Sequence, residues 1–146
     1  MFQILKLIGN ATDMSYMFYN CNSLKVLNLS NFNTNNVINM RDMFYNCSSL
    51  IEINLSNFNT INVTNMRNMF SDCISLKELK ISNFNTFNIK DMNWMFFNCS
   101  SLKEINISDF FIKDVNKISH MFTNCSDELK MKIKKQFTNI IEEAFI

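Results

Sequence analysis

Apolar positions along this chain follow two alternating rhythms. Leu24-x-x-Leu27-x-Leu29 opens the first clear unit. Leu27 and Leu29 stand two apart, the period that places both side chains on one face of a strand. The wording returns as Leu50-x-x-Ile53-x-Leu55, Leu76-x-x-Leu79-x-Ile81 and Leu102-x-x-Ile105-x-Ile107, so a short strand is predicted at each. A polar stretch follows, Ser30-Asn31-Phe32-Asn33-Thr34, with copies Ser56-Asn57-Phe58-Asn59-Thr60 and Ser82-Asn83-Phe84-Asn85-Thr86. It reads as the bend out of the strand, with the aromatic turned inward. The fourth copy, Ser108-Asp109-Phe110-Phe111-Ile112, loses the threonine and gains apolar residues. Next, Val37, Met40, Met43, Phe44 and Cys47 fall three and four apart, as do Val63 to Cys73 and Ile89 to Cys99. That is the helical rhythm, and it predicts a helix or a short 3₁₀-rich segment from about residue 37 to 46 of each unit.

The units are equal in length. The five cysteines fall at 21, 47, 73, 99 and 125, a constant interval of 26 residues. A repeat of that length cannot bury its own apolar face and does so by stacking on its neighbours. The architecture expected is therefore an α/β solenoid. Residues 1–20 read as a degenerate N-terminal repeat or cap, in which Met17-Phe18-Tyr19-Asn20-Cys21 keeps the phrase and Leu5-Lys6-Leu7 resembles a worn strand. Four 26-residue repeats fill 21–125. Beyond them the period breaks, and Leu129, Ile133, Phe137, Ile140, Ile141 and Ala144 lie at helical spacing over 126–146. An amphipathic helix of about five turns is expected there, its stripe capping the last coil.

Composition narrows the function. The net charge of +1 and the interleaving of Lys and Arg with Asp and Glu leave no basic footprint for nucleic acid. Lys6 interrupts the apolar run after Met1, so no signal peptide is visible, and no stretch has the length of a membrane span. Proline is absent and Gly9 is the single glycine, which leaves turn-making to Asn and Ser. The cysteines, one per coil and without a Cys-x-x-Cys pair, read as buried free thiols and not as zinc ligands. The many Met and Phe residues sit at core positions of the repeat. His120 shares its column with Tyr16, Asp42, Asn68 and Trp94, unrelated chemistries expected on the exposed side of a helix. With no oriented partner or pocket it makes no general base. No catalytic, metal or cofactor site is expected.

The phrase Ser-Leu-Lys-x-Leu-x-Leu-Ser-Asn-Phe-x-Thr, followed by Val-x-x-Met-x-x-Met-Phe-x-x-Cys, resembles the BspA-like leucine-rich repeat found in mycoplasma-type surface lipoproteins, over roughly residues 14–125. The family's acidic turn position carries Asn33, Asn59 and Asn85 here. The resemblance implies a curved right-handed solenoid with a parallel sheet on the concave face and short helices on the convex face. It also implies a non-enzymatic adhesion or protein-interaction module, monomeric, at the cell surface or secreted, whose partner is another protein or an extracellular glycoprotein. The competing expectation is a structural or scaffold segment acting in the cytoplasm.

On such a fold three columns face outward from the strands: Val26, Glu52, Glu78 and Glu104; Asn28, Asn54, Lys80 and Asn106; Ser30, Ser56, Ser82 and Ser108. Carboxylates stacked about 5 Å apart repel unless cations neutralise them, and Lys25, Lys77, Lys80 and Lys103 are the expected neutralisers. The surface reads either as a solvated ladder of mixed charge or as a ligand-facing grid that selects a polar, basic partner.

Overall fold

The computed structural model describes residues 10–111, 117–137 and 142–146. Within them the period becomes a stack of coils, each hydrogen-bonded to the next. The N–H of Phe18, Phe44, Phe70 and Phe96 donates to the carbonyl of Met43, Met69, Met95 and Met121, at 2.9, 2.9, 2.9 and 3.0 Å. The chain is a repeat fold in which coil n pairs with coil n + 1.

Each coil has a strand half and a turn half. The strand half holds two strands, β1 (Glu52–Asn54) and β2 (Glu78–Lys80), paired in parallel with Glu52 opposite Glu78, Ile53 opposite Leu79 and Asn54 opposite Lys80. Val26 joins β1 through an isolated bridge to Glu52. Strands were expected at four places; the rows around Leu27 and Ile105 are irregular. Among the described residues no fifth row follows the fourth, and the Leu102 carbonyl of the fourth row is occupied by the Ser126 hydroxyl at 2.8 Å.

The turn half overturns the expected helices. Between residues 10 and 111 the described chain contains none. Met43, Tyr45 and Cys47 donate to Met40, Asp42 and Phe44, three residues back, which makes a train of tight turns. The alternate N–H groups, of Met40, Asp42, Phe44 and Asn46, leave the segment and donate to the next coil. A helix keeps its N–H groups within its own segment and cannot share them this way. Such turns need left-handed residues, and two columns supply them with φ from 54 to 62°: Tyr16, Asp42, Asn68, Trp94 and His120, and Asn20, Asn46, Asp72, Asn98 and Asn124. The second column is entirely Asn and Asp, the side chains that tolerate this region best after glycine.

Asparagine replaces glycine and proline in the bends as well. Asn28, Asn33 and Asn39 each accept, through Oδ1, the N–H of the residue two further on, and so do their copies Asn54, Asn59 and Asn65. These Asx turns set the corners of the coil. Between the corners the buried threonines staple neighbouring coils. The Thr60 hydroxyl donates to the Asn85 carbonyl at 3.0 Å and accepts its N–H at 2.8 Å, and Thr34 does the same for Asn59.

The core is a column of identical layers. Met40, Phe44, Cys47 and Leu50 are fully buried, as are Met66, Phe70, Cys73 and Leu76. Phe18, Phe44, Phe70, Phe96, Phe122 and Phe145 stack ring on ring at 5.3 to 5.7 Å between centroids. Each such pair adds about 0.5–1.5 kcal/mol beyond simple burial.

The far end differs from the single long helix expected. Helix α1 spans Asp127–Gln136, and Phe137 caps it. Its N-cap is Ser126, acids fill its first turn and lysines its last, each favourable to the helix dipole. Leu129 and Ile133 are buried, and the Ser126 hydroxyl at the start of α1 bonds the fourth row at Leu102. Ile140 and Ile141 of the expected stripe lie outside the described residues, as do Leu5, Lys6, Leu7 and Ile112. Ala144, however, belongs to a 3₁₀ turn, Glu142–Ala144. There the chain returns to the turn half: His120 and Phe122 donate to the carbonyls of Glu143 and Ala144, and Phe145 completes the phenylalanine stack. The tail imitates one more rung.

Candidate ligand-binding face

The strand register sets the first three rows of the predicted columns side by side. Parallel register places Glu52 beside Glu78 and Asn54 beside Lys80, while Ile53 and Leu79 between them turn into the core. Val26, Asn28, Ser30, Glu52, Asn54, Glu78, Lys80, Ser82, Glu104, Asn106 and Ser108 are exposed, and Ser56 is half-buried. The first three rows line an open depression of about 400 Å³ whose walls include Val26, Asn28, Glu52, Asn54, Glu78 and Lys80.

The columns differ in what they are free to do. Asn28, Asn54 and Asn106 accept the N–H of Ser30, Ser56 and Ser108 at 3.0, 3.0 and 3.1 Å. These carboxamides shape the strand exit first and face a ligand second. Lys80 replaces the asparagine in the third row and brings a cation instead.

The carboxylates are not neutralised as the sequence suggests. Glu104 pairs with Lys132 of α1 at 3.2 Å, a lysine that also meets Glu128 at 3.1 Å. Lys103 turns to Glu128, and among the described residues Glu52 and Glu78 have no ion pair. The fourth row also makes no bridge to β2 among the described residues. Glu104 and Asn106 instead border a second depression of about 630 Å³ together with Lys77, Lys80 and Gln136. The face therefore has a sheet-backed part, rows one to three, and a part built against the cap.

An apolar group was missed in the sequence. Ile61 and Phe87 occupy the column of Asn35, Phe111 the column of Asn85, and all are exposed, Phe87 to 67%. The Phe87 and Phe111 rings lie 5.3 Å apart. The signal was legible as a polar column turning apolar at successive coils.

His120 corrects its expected setting. It is half-buried at a left-handed position, its ring stacks on Trp94 at 5.3 Å, and its Nδ1 contacts the Ile146 carbonyl oxygen. Its contacts hold the tail in place. Asp42, in the same column, is buried and accepts from Arg41 Nε at 2.8 Å and Asn68 Nδ2 at 2.9 Å. Arg67 lies 4.3 Å over Trp94 and 3.6 Å from Asp91. These are structural links between coils.

The thiols are free and, Cys21 excepted, buried. Each buried one donates to the phenylalanine carbonyl of the preceding coil, Cys73 to Phe44 at 3.2 Å and Cys99 to Phe70 at 3.1 Å. Burial pushes the Cys47 and Cys125 thiols up to about 12 and raises Cys73 and Cys99 well above the ordinary thiol range. Thiols held so firmly protonated are poor nucleophiles and metal ligands. Among the described residues no three His, Cys, Asp or Glu side chains converge to hold a metal, and no helix is long and apolar enough to cross a membrane.

These coils define a repeat protein with a leucine-rich wording. The family described as mycoplasma protein of unknown function, DUF285, matches residues 12–136. The chain belongs to this family, in keeping with the BspA-like leucine-rich repeat phrase of its units. A solved leucine-rich repeat protein from Eubacterium ventriosum ATCC 27560 is similar at 22% identity, with a TM-score of 0.43 over 64% of this chain. The chain spans 23% of that protein's length. No curated protein matches the chain.

Proposed function

We propose that the chain is a curved solenoid whose concave strand face binds another protein, without catalysis. The observation that carries this reading is the sheet-backed grid of rows one to three. Glu52 and Glu78 stand in parallel register, exposed, without an ion pair among the described residues, above a rigid and fully packed core. Repeat scaffolds present extended surfaces of this kind, and carboxylates left without an ion pair among the described residues favour a partner carrying lysine or arginine. Membership of the family supports a protein-interaction role in general, and the resemblance to surface lipoprotein repeats supports display outside the cell.

Photo-crosslinking tests the face. A benzoyl-phenylalanine placed at position 54 is expected to capture a partner from cells, and the same group at position 135 on α1 is not. Glu52→Lys with Glu78→Lys is expected to abolish the adduct. Equal capture from both positions, or an adduct indifferent to the double substitution, moves the site off the strand face. Surface-protease shaving of intact cells tests display: protection of the native protein ends that part of the reading.

A further inference from the structure

The strand face changes sign along the stack. Its two depressions meet at β2, where Glu78 and Lys80 border both. The depression over rows one to three is lined by the carboxylates of Glu52 and Glu78 and by one ammonium, that of Lys80. The depression over rows three and four is lined by Lys77, Lys80, Glu78 and Glu104. Glu104 is already spent in a neutral chain of ion pairs with Lys132, Glu128 and Lys103. What remains is net acidic on one side of the β2 ridge and net basic on the other. Glu52, Glu78, Lys77 and Lys80 are all exposed, and none has an ion pair among the described residues.

The fourth row shows what this carboxylate column takes. Glu104 stands in the column of Glu52 and Glu78, and its partner is a lysine from outside the sheet, Lys132 of α1 at 3.2 Å. Rows two and three offer the same carboxylate without that visitor. Lys80 then sets the third row apart. Asn28, Asn54 and Asn106 of its column each accept the N–H two residues on. An ammonium only donates, so Lys80 cannot close that turn. The third row gives up a corner bond and holds an exposed cation between the two depressions instead.

We infer that the strand face takes an extended peptide segment carrying both signs. A lysine or arginine lies over Glu52 and Glu78, and an aspartate or glutamate lies near Lys77 and Lys80, between rows three and four. This names the partner chemistry of the face proposed above and rests on that reading. Rows stand about 4.8 Å apart and the depressions are centred about one and a half rows apart, which separates the two charges by about 7 Å. Side chains i and i + 2 of an extended peptide share one face at about the same distance. The matching segment is Lys/Arg-x-Asp/Glu or its reverse. Two basic residues at that spacing would set one against Lys77 and Lys80, and two acidic ones would set one against Glu52 and Glu78. Like charges thus select against both.

The test titrates the isotope-labelled chain with acetylated, amidated peptides at low ionic strength, reading the amide signals of residues 52–54 and 78–80. The probes are Ser-Arg-Ser-Glu-Ser, its reverse, Ser-Arg-Ser-Arg-Ser and Ser-Glu-Ser-Glu-Ser. One of the two mixed-sign probes is expected to bind roughly threefold or more tighter than either single-sign probe. Lys80→Asn installs the side chain of the other rows, which keeps the fold, and is expected to erase that preference and leave the two-arginine probe the tightest. Lys80→Arg is expected to preserve it. The inference is overturned if the two-arginine probe matches the mixed-sign probes on the native chain. That result leaves an acidic strand face standing and makes Lys80 a solvated lysine. Survival of the preference in Lys80→Asn overturns it as well. If no probe moves the signals of residues 52–54 and 78–80, the strand-face reading itself fails and takes this inference with it.

Discussion

The two halves of each coil are built from equally apolar wording and behave differently. In the turn half every rung from Met14 to Phe122 is bonded to the next, and the tail adds one more at Ala144 and Phe145. In the strand half regular pairing among the described residues is confined to β1, β2 and the Val26 bridge. The difference lies in where the backbone can send its hydrogen bonds. Alternating turns export every second N–H along the stack, and the left-handed Asn and Asp columns keep that pattern going. The strand half depends on finding a neighbour in register, and among the described residues the fourth row makes no bridge to β2. The turn half is thus the more continuously bonded of the two, and the strand half carries the exposed face proposed for a partner.

Alkali should break the turn half most severely, because all the buried thiols lie in it. In the unfolded chain a thiol ionises near pH 8.5. Burial moves Cys47 and Cys125 to about 12, and desolvation raises Cys73 and Cys99 as well. Their contribution is thus intact below about pH 8.5 and is lost as pH rises toward the folded value, because the unfolded state then binds fewer protons. Each thiol removes about 1.4 kcal/mol per pH unit in that window. Urea unfolding between pH 7 and 10 should show stability level at first and then falling by on the order of 5 kcal/mol or more. Cys73→Ala should make the fall shallower; an unchanged slope removes that thiol from the account.

Phe70 sits in the middle of the ring stack, between Phe44 and Phe96. Phe70→Ala should cost about 3–5 kcal/mol, since the layers above and below cannot collapse into the gap. A loss under about 1 kcal/mol in urea titrations would show that the stack relaxes freely. Thr60→Val comes next. It keeps the shape and strands the N–H and carbonyl of Asn85, for about 1–3 kcal/mol. Thr60→Ser should recover most of it.

How much of this was readable in advance follows from the same contrast. The interval of 26 residues and the inward side chains were legible, and Met40, Phe44, Cys47 and Leu50 are indeed buried completely. The helices were not. Intervals of three and four suit a helix and a train of turns equally well, because both put the apolar residues on one side. The distinguishing signal was the invariant Asn or Asp at 20, 46, 72, 98 and 124, which marks a left-handed residue once per coil. The tail was hidden because Ala144-Phe145 repeats the Met-Phe pair out of register with the period. On the candidate face exposure was legible from the alternation of residues 52 to 54 and 78 to 80. The bond from Lys132 to Glu104 was not, since it depends on how α1 lies across the fourth row.

Asn46→Val sharpens the point about turns. On an ordinary helix an exposed Asn to Val change is nearly neutral. At φ 54° a β-branched side chain meets the backbone, and about 1–2 kcal/mol should be lost, whereas Asn46→Gly should stay within about 0.5 kcal/mol of the parent. Equal values for the two variants would return the segment to a helix.

The smallest effect belongs on the strand face. Glu52→Gln and Glu78→Gln remove one charge each from a solvated ladder with no ion pair among the described residues. Each should change stability by less than about 0.5 kcal/mol, and in the stabilising direction if the carboxylates repel. Glu104→Gln is the control, because it breaks the contact to Lys132 and with it a tie to α1. An exposed pair of this kind is worth about 0.2–1 kcal/mol, so the control should be slightly destabilising. Opposite signs within one column would show that a ladder of identical residues has divided its work. On that outcome the fourth rung would serve the cap, and the proposed partner site would rest on the second and third. If all three variants move stability alike, the column is one solvated surface and the assignment of rows to a ligand loses its footing.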